Sequence, residues 1–337
     1  MGIRILGTGS YLPPKVVTND DLAKVLDTSD EWIFSHTGIH RRHVAGTNET
    51  ASTMAAEAAK SALAAAEVSV NEIGLVIVAT STPDYATFPS TACIVQEMLG
   101  CANAGAFDLQ AACAGFVYAL EQARGYVSLH PAKKALVIGV ECLSRILDWA
   151  DRSSCILFGD GAGAVVIGGD GRLDVDSETF SFFGSDGGGK DLIKRTGGTR
   201  EALSFDPASG VPVRAEPISP KLTLMGHEVF AFALRVIPRI VNNLCEQRGI
   251  TVDAIDRVFA HQANGRIVEA VARRMKLPLE KFWLNIAETA NTSAASVPIS
   301  LDQAVRSGAL ADGMKIVMTG FGSGLCYGGI YCVWPRL

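Results

Sequence analysis

Three stretches of the chain recur at nearly one spacing. "VSVNEIGLVIVA" at 68–79 is echoed by "ITVDAIDRVFAH" at 250–261, an offset of 182 residues. "ALEQA" at 119–123 returns as "SLDQA" at 300–304, and "KALVIG" at 134–139 as "KIVMTG" at 315–320, both at an offset of 181. One such match between apolar strands is ordinary; three in register indicate two copies of one βα unit. The strand-like runs "LVIVAT" 75–80, "ALVIGV" 135–140, "AVVIGG" 164–169, "RVFAHQ" 257–262 and "KIVMTG" 315–320 are apolar on both faces, as buried parallel strands are. They alternate with helical patterns at 50–66, 113–128, 228–248, 265–276 and 297–307. The class is therefore α/β, with helices on both sides of a sheet and a pseudo-twofold axis relating the halves 1–175 and 176–337. The segment 184–220, rich in Gly, Ser and Pro, reads as an excursion that forms a pocket wall or cap.

The duplication directs attention to strand ends, because ligands of open α/β sheets gather outside the carboxyl ends of the strands. In "AFDLQAACAGFVYAL" (106–120) Cys113 stands between a strand and an apolar helix and falls opposite 295–296 in the second copy. A helix N-terminus favours a thiolate, and Ala111, Ala112, Ala114 and Gly115 leave room for a carbonyl. Position alone leaves Cys113 either a nucleophile or a packed core thiol. "HQANGRI" (261–267) puts His261 at the end of an apolar strand, with Asn264 and Arg266 at a helix start. "ANTSAAS" (290–296) places Asn291 among small residues, where Asn-Thr-Ser also caps helices. Cys, His and Asn on corresponding edges of two copies form an acyl-transfer set. "TGFGSGLCYGG" (319–329) offers either oxyanion-binding N–H groups or a tight hairpin.

Other features narrow the class. A net charge of −5 argues against a general nucleic-acid role. The eight cysteines form no CxxC pair and several sit in apolar runs, which points to reduced thiols in the cytoplasm and no zinc ribbon. The N-terminus lacks the features of a signal peptide, and no run is long enough for a membrane span. "GSDGGGKD" (184–191) departs from a phosphate loop at Asp191. "FGDGAGAVVIGG" (158–169) leads into a strand rather than a helix, and Gly38 interrupts "HTGIHRRH" (36–43), so no metal site is expected.

Taken together, "GTGSYLP" 7–13, "TSDEWI" 28–33, "FPSTAC" 88–93, "AACAGF" 111–116, "FGDGAGAV" 158–165, "HQAN" 261–264 and "NTSAASVP" 291–298 resemble the β-ketoacyl-acyl-carrier-protein synthase III family, over essentially the whole length. The resemblance implies a thiolase-like fold of five layers, α-β-α-β-α, with the nucleophilic Cys in the N-terminal half and His and Asn in the C-terminal half. It implies a cytoplasmic homodimeric acyltransferase without cofactor, whose substrates are acyl-CoA and malonyl-acyl-carrier protein, and whose decarboxylative Claisen condensation initiates fatty-acid synthesis. Cys113, His261 and Asn291 would be catalytic, with the backbone N–H groups of Cys113 and Ser323 as oxyanion hole. Trp32, Arg152 and Asn264 would bind CoA; Arg266, Arg273 and Arg274 would dock the carrier protein; Phe88, Leu157, Phe158, Gly226 and Phe321 would line the acyl pocket. Departures stand at His36 (usually Arg), Ala231 (usually Lys), Gly265 (usually Leu) and Ala290 (usually Gly). They leave open a specialised acyltransferase or ketosynthase of secondary metabolism. A non-catalytic acyl-CoA-binding protein is the remaining alternative.

Overall fold

The computed structural model describes residues 4–169, 179–195 and 222–335, with short pieces at 203–205, 208–209 and 212–214. The expected boundary at 175/176 and much of the 184–220 excursion lie outside the described residues. Two sheets carry the fold. In the first, Arg4–Tyr11, Gly161–Gly168, Lys134–Glu141, Ile73–Ala79 and Gly105–Leu109 lie in that order. In the second, Phe180–Ser185, Cys326–Val333, Lys315–Gly322 and Arg257–Ala260 follow the same order, and an isolated bridge from Val258 to Phe282 stands where a fifth strand would.

The sheets are mixed rather than parallel. Ile73–Ala79 runs parallel to both its neighbours, but Gly161–Gly168 is antiparallel to the strands on either side. The apolar run at 164–169 did not reveal this, because burial on both faces leaves the same signature whatever the strand direction. Between the sheets lie the helices Gly115–Leu129 and Ser296–Arg306. Their apolar faces pack with Ile77, Val137, Phe259, Leu301 and Met318 in one core. Ala51–Ala66 covers the outer face of the first sheet; Gly226–Arg248 and Gly265–Met275 cover the second. Five layers result, as in a thiolase-like fold.

The duplication extends to backbone detail. Short 3-10 turns at Ala112–Ala114 and Ser293–Ala295 precede the two central helices, 181 residues apart. Each carries a non-glycine residue of positive φ at the matching place, Ala112 at 45° and Ser293 at 47°. Each junction lies against a glycine of the other half. A methyl group on Gly320 would come within 2.9 Å of Ala114 Cα, and one on Gly139 would collide with the Ala294 carbonyl. The two junctions thus meet across the dyad at the carboxyl ends of the central strands.

Candidate active site

Cys113, His261 and Asn291 converge on one residue the sequence did not single out, Ser293. Its hydroxyl is a hydrogen-bond partner of the Cys113 thiol, and its main chain reaches the His261 ring. Its N–H donates to Asn291 Oδ1 at 2.8 Å. Asn291 is held by the first half: its N–H donates to Leu157 O at 2.9 Å, and its carbonyl accepts from Gly159 N at 3.0 Å, around a bridge with Phe158. Its amide nitrogen has only a long contact, 3.5 Å to Ala263 O, so donor capacity is left over. His261 continues the register of its strand, its N–H donating to Thr319 O at 2.7 Å. Nδ1 lies 3.2 Å from Ser296 Oγ, and Phe321 meets the ring edge-on at 5.4 Å.

The electrostatics of the thiol differ from the expectation of a thiolate made by a helix N-terminus. The residue keeps some exposure, yet protein surrounds the sulfur closely. Burial pushes the thiol up to about 12, with Ser293 and the Cys113 backbone opposing and Glu141 adding to the rise. Cys113 lies in the turn at 112–114, ahead of the helix that begins at Gly115. Burial also drives His261 down to about 3, so the imidazole is neutral at physiological pH. Gly322 has no side chain where one would press within 2.7 Å of Cys113 N. The N–H of Cys113 therefore borders the space beside Gly322, the residue before Ser323. Ser323 Oγ donates to Ile193 O at 2.5 Å, fixing that turn.

A second cluster forms on the helix Asp30–Thr37. The Arg152 guanidinium lies 4.6 Å from the centre of the Trp32 ring, and His36 stacks on the same ring at 4.3 Å. Asn264 caps the helix Gly265–Met275 and donates to His36 O at 3.1 Å. Arg266 donates to Ser35 O and Phe34 O, both at 2.9 Å, and to Glu269 at 2.7 Å. Asn264 and Arg266 thus fasten the Trp32 helix to the loop after His261. Arg273 and Arg274 are exposed. Of the pocket candidates, Leu157, Phe158 and Phe321 adjoin Asn291 or His261. Gly226 faces open space, and Phe88 projects outward, 81% exposed.

Comparison with known proteins agrees with this geometry. The family model described as 3-oxoacyl-acyl-carrier-protein (ACP) synthase III matches residues 107–187, and its C-terminal counterpart matches 245–334. A β-ketoacyl-acyl-carrier-protein synthase III of Clostridium acetobutylicum is 44% identical over 334 residues, spanning 99% of both chains. The chain belongs to the β-ketoacyl-acyl-carrier-protein synthase III family. A solved 3-oxoacyl-(acyl carrier protein) synthase III of Pseudomonas aeruginosa superposes with a TM-score of 0.89 at 39% identity, covering 100% of this chain and 99% of that one. The priming β-ketosynthase of the R1128 polyketide biosynthetic pathway superposes at 0.87 with 37% identity, covering 99% and 97%.

In this synthase III chain the residue the sequence reading most clearly missed is Glu141. It is fully buried at the end of Lys134–Glu141. It accepts hydrogen bonds from Thr82 Oγ1 at 2.6 Å, from Ser81 N at 3.1 Å, and from Ser293 Oγ at 3.0 Å. The signal was present: a lone carboxylate closing an otherwise apolar strand, "ALVIGVE". Gly38 ends its helix with φ 75°, Asp186 caps the turn at 187–189, and among the described residues no group of three potential metal ligands occurs. Nor, among those residues, is any helix long and apolar enough to cross a membrane.

Proposed function

We propose that the chain condenses an acyl-CoA primer with malonyl-acyl-carrier protein, through an acyl-enzyme on Cys113. The observation that carries this reading is the meeting of the thiol, a neutral imidazole and a carboxamide with a free N–H around Ser293. Cys113 sulfur attacks the thioester carbonyl, and the N–H groups of Cys113 and Ser323 receive the oxyanion in the space beside Gly322. CoA leaves as its thiol. Malonyl-acyl-carrier protein then loses CO2, and the electron pair released becomes an enolate on the thioester oxygen. A neutral His261 suits this step, since an N–H donor is needed and a proton is not. In the tautomer that accepts the Ser296 hydroxyl at Nδ1, Nε2 carries the hydrogen and can face the enolate beside the spare N–H of Asn291. The carbanion attacks the acyl-Cys113 carbonyl and expels the thiolate, giving a 3-oxoacyl product. No step draws on a metal or organic cofactor.

In this reading Trp32 and Arg152 hold the CoA adenine. The Arg152 guanidinium lies against the Trp32 ring, and cation–π contact favours the pairing. Carrier docking falls on more residues than the sequence suggested. Arg266 is engaged internally, whereas Arg235 and Arg239, one and two turns after Ala231, join Arg274 in lining a cavity of about 440 Å3. Arg239 also packs over Phe182 and Tyr327. This basic groove suits an acidic partner despite the acidic net charge. A second copy of the chain would cover the edge strand Gly105–Leu109 with its exposed Phe107, together with Tyr85 and Phe88. We place the enzyme in the cytoplasm, where eight free cysteines stay reduced.

The test uses radiolabelled acyl-CoA followed by malonyl-acyl-carrier protein. Label on wild-type Cys113, its absence in Cys113→Ser, and a product two carbons longer are expected. Label passing only to another acceptor would support the secondary-metabolism alternative, and the absence of covalent label would end the proposal.

A further inference from the structure

The acyl-transfer step leaves one question open: where the thiol proton goes. His261 is a poor acceptor, because burial holds it at about 3. The structure holds another route. Ser293 Oγ donates to Glu141 Oε1 at 3.0 Å and is also a hydrogen-bond partner of the Cys113 sulfur, and a hydroxyl oxygen whose own proton is engaged can still accept one from a thiol. The carboxylate beyond is fixed from three further sides, by Thr82 Oγ1, Ser81 N and the Ala294 main chain. We propose that Glu141 accepts the Cys113 proton through the Ser293 hydroxyl when the enzyme is acylated.

The step balances. The S–H proton passes to Ser293 Oγ, the Ser293 O–H proton passes to Glu141 Oε1, and the single negative charge moves from carboxylate to sulfur. The thiolate is then met by the new Ser293 O–H, which the neutral Glu141 O–H in turn supports. As CoA departs as a thiolate, the proton held on Glu141 is available to neutralise it once the relay runs back, and the carboxylate is restored. Burial raises Glu141 to about 7, against hydrogen bonds from Thr82, Ser293, Ser81 and Ala294 that lower it, so an acceptor is present at neutral pH. The titratable groups facing it are Cys113 and the adjacent Cys142, itself pushed up to about 12. No cation is among its hydrogen-bond partners. Glu141 does not touch substrate; it acts through Ser293.

The proposal rests on acylation of Cys113, and the test separates the two. Peptide-resolved mass spectrometry measures two rates on Cys113 between pH 5.5 and 9, acylation by acyl-CoA and alkylation by iodoacetamide, in wild type, Glu141→Gln, Ser293→Ala and Glu141→Asp. In wild type both rates rise along a limb centred near 7. Glu141→Gln and Ser293→Ala lose that limb and fall about 100-fold at neutral pH, the loss expected for a missing general base, while Glu141→Asp recovers part of it. The fold of Ser293→Ala is read separately, from a far-ultraviolet circular dichroism spectrum and a Tm near those of wild type. If Glu141 acts only as a repelling charge, Glu141→Gln accelerates both rates, and the relay is wrong. An unchanged pH limb in Ser293→Ala also overturns it. Wild-type alkylation without acylation would instead refute the acyl-enzyme reading and leave the relay standing.

Discussion

At the junction before the first central helix, Ala112 turns into positive φ, Cys113 follows, and the N–H of Cys113 looks toward the space left by Gly322. At the junction before the second, Ser293 makes the same turn and Ala294 follows. The residue matching Gly322 in the first half is Glu141, and its carboxylate takes up the Ala294 N–H. Two equivalent N–H groups therefore differ in surroundings: that of Cys113 borders the space beside Gly322, and that of Ala294 is taken by the protein's own carboxylate. The difference teaches that duplication supplied the backbone twice, and that a few side chains divided the work. The first junction keeps the nucleophile, while the second supplies the amide of Asn291 and the hydroxyl of Ser293.

That division predicts separable defects. His261→Ala and Asn291→Ala should leave acylation by acyl-CoA near wild type and lower condensation by about 10²–10³, the worth of an oxyanion donor. Cys113→Ser should abolish both, and normal condensation in His261→Ala would break the comparison. Next in size is the pH dependence of stability, read as Tm. His261 is held at about 3 against an ordinary 6.5. Its contribution is full above 6.5 and lost as pH falls toward 3, so His261→Gln should flatten the acid limb. Glu141 is raised from 4.5 to about 7. Its contribution is full below 4.5 and lost as pH rises through 7, so Glu141→Gln should flatten the neutral limb. Both variants acting on one limb would contradict the assignment. The smallest effects test the backbone. Ala290 sits at φ 55°, ψ −164°, a region left almost wholly to glycine, so Ala290→Gly should stabilise by about 1 kcal/mol in urea denaturation. Ala112→Gly should gain about 0.5 kcal/mol, since the left-handed penalty exceeds glycine's entropy cost only slightly.

Much of this was legible in the chain. The offset of 181–182 marked the repeated βα unit, and the apolar runs marked the strands to within a few residues. Their directions were hidden, because Val165 and Val166 are buried whether Gly161–Gly168 runs parallel or antiparallel. Cys113, His261 and Asn291 were visible as polar or nucleophilic residues at strand ends. Ser293 was not, because in "NTSAAS" it reads as one more helix-capping hydroxyl. The state of the thiol was not legible either, since desolvation depends on what packs around position 113 from the other half. Arg266 illustrates the converse: its charge suggested an exposed stripe, but the carbonyls of Phe34 and Ser35, far away in sequence, claim it.

The bridge between Phe158 and Asn291 carries a last consequence. The main chain of Asn291 in one repeat is held by the main chain of the other, so the place of this carboxamide depends on both repeats. Cutting the gene at the seam should give fragments that recover chemistry only when mixed.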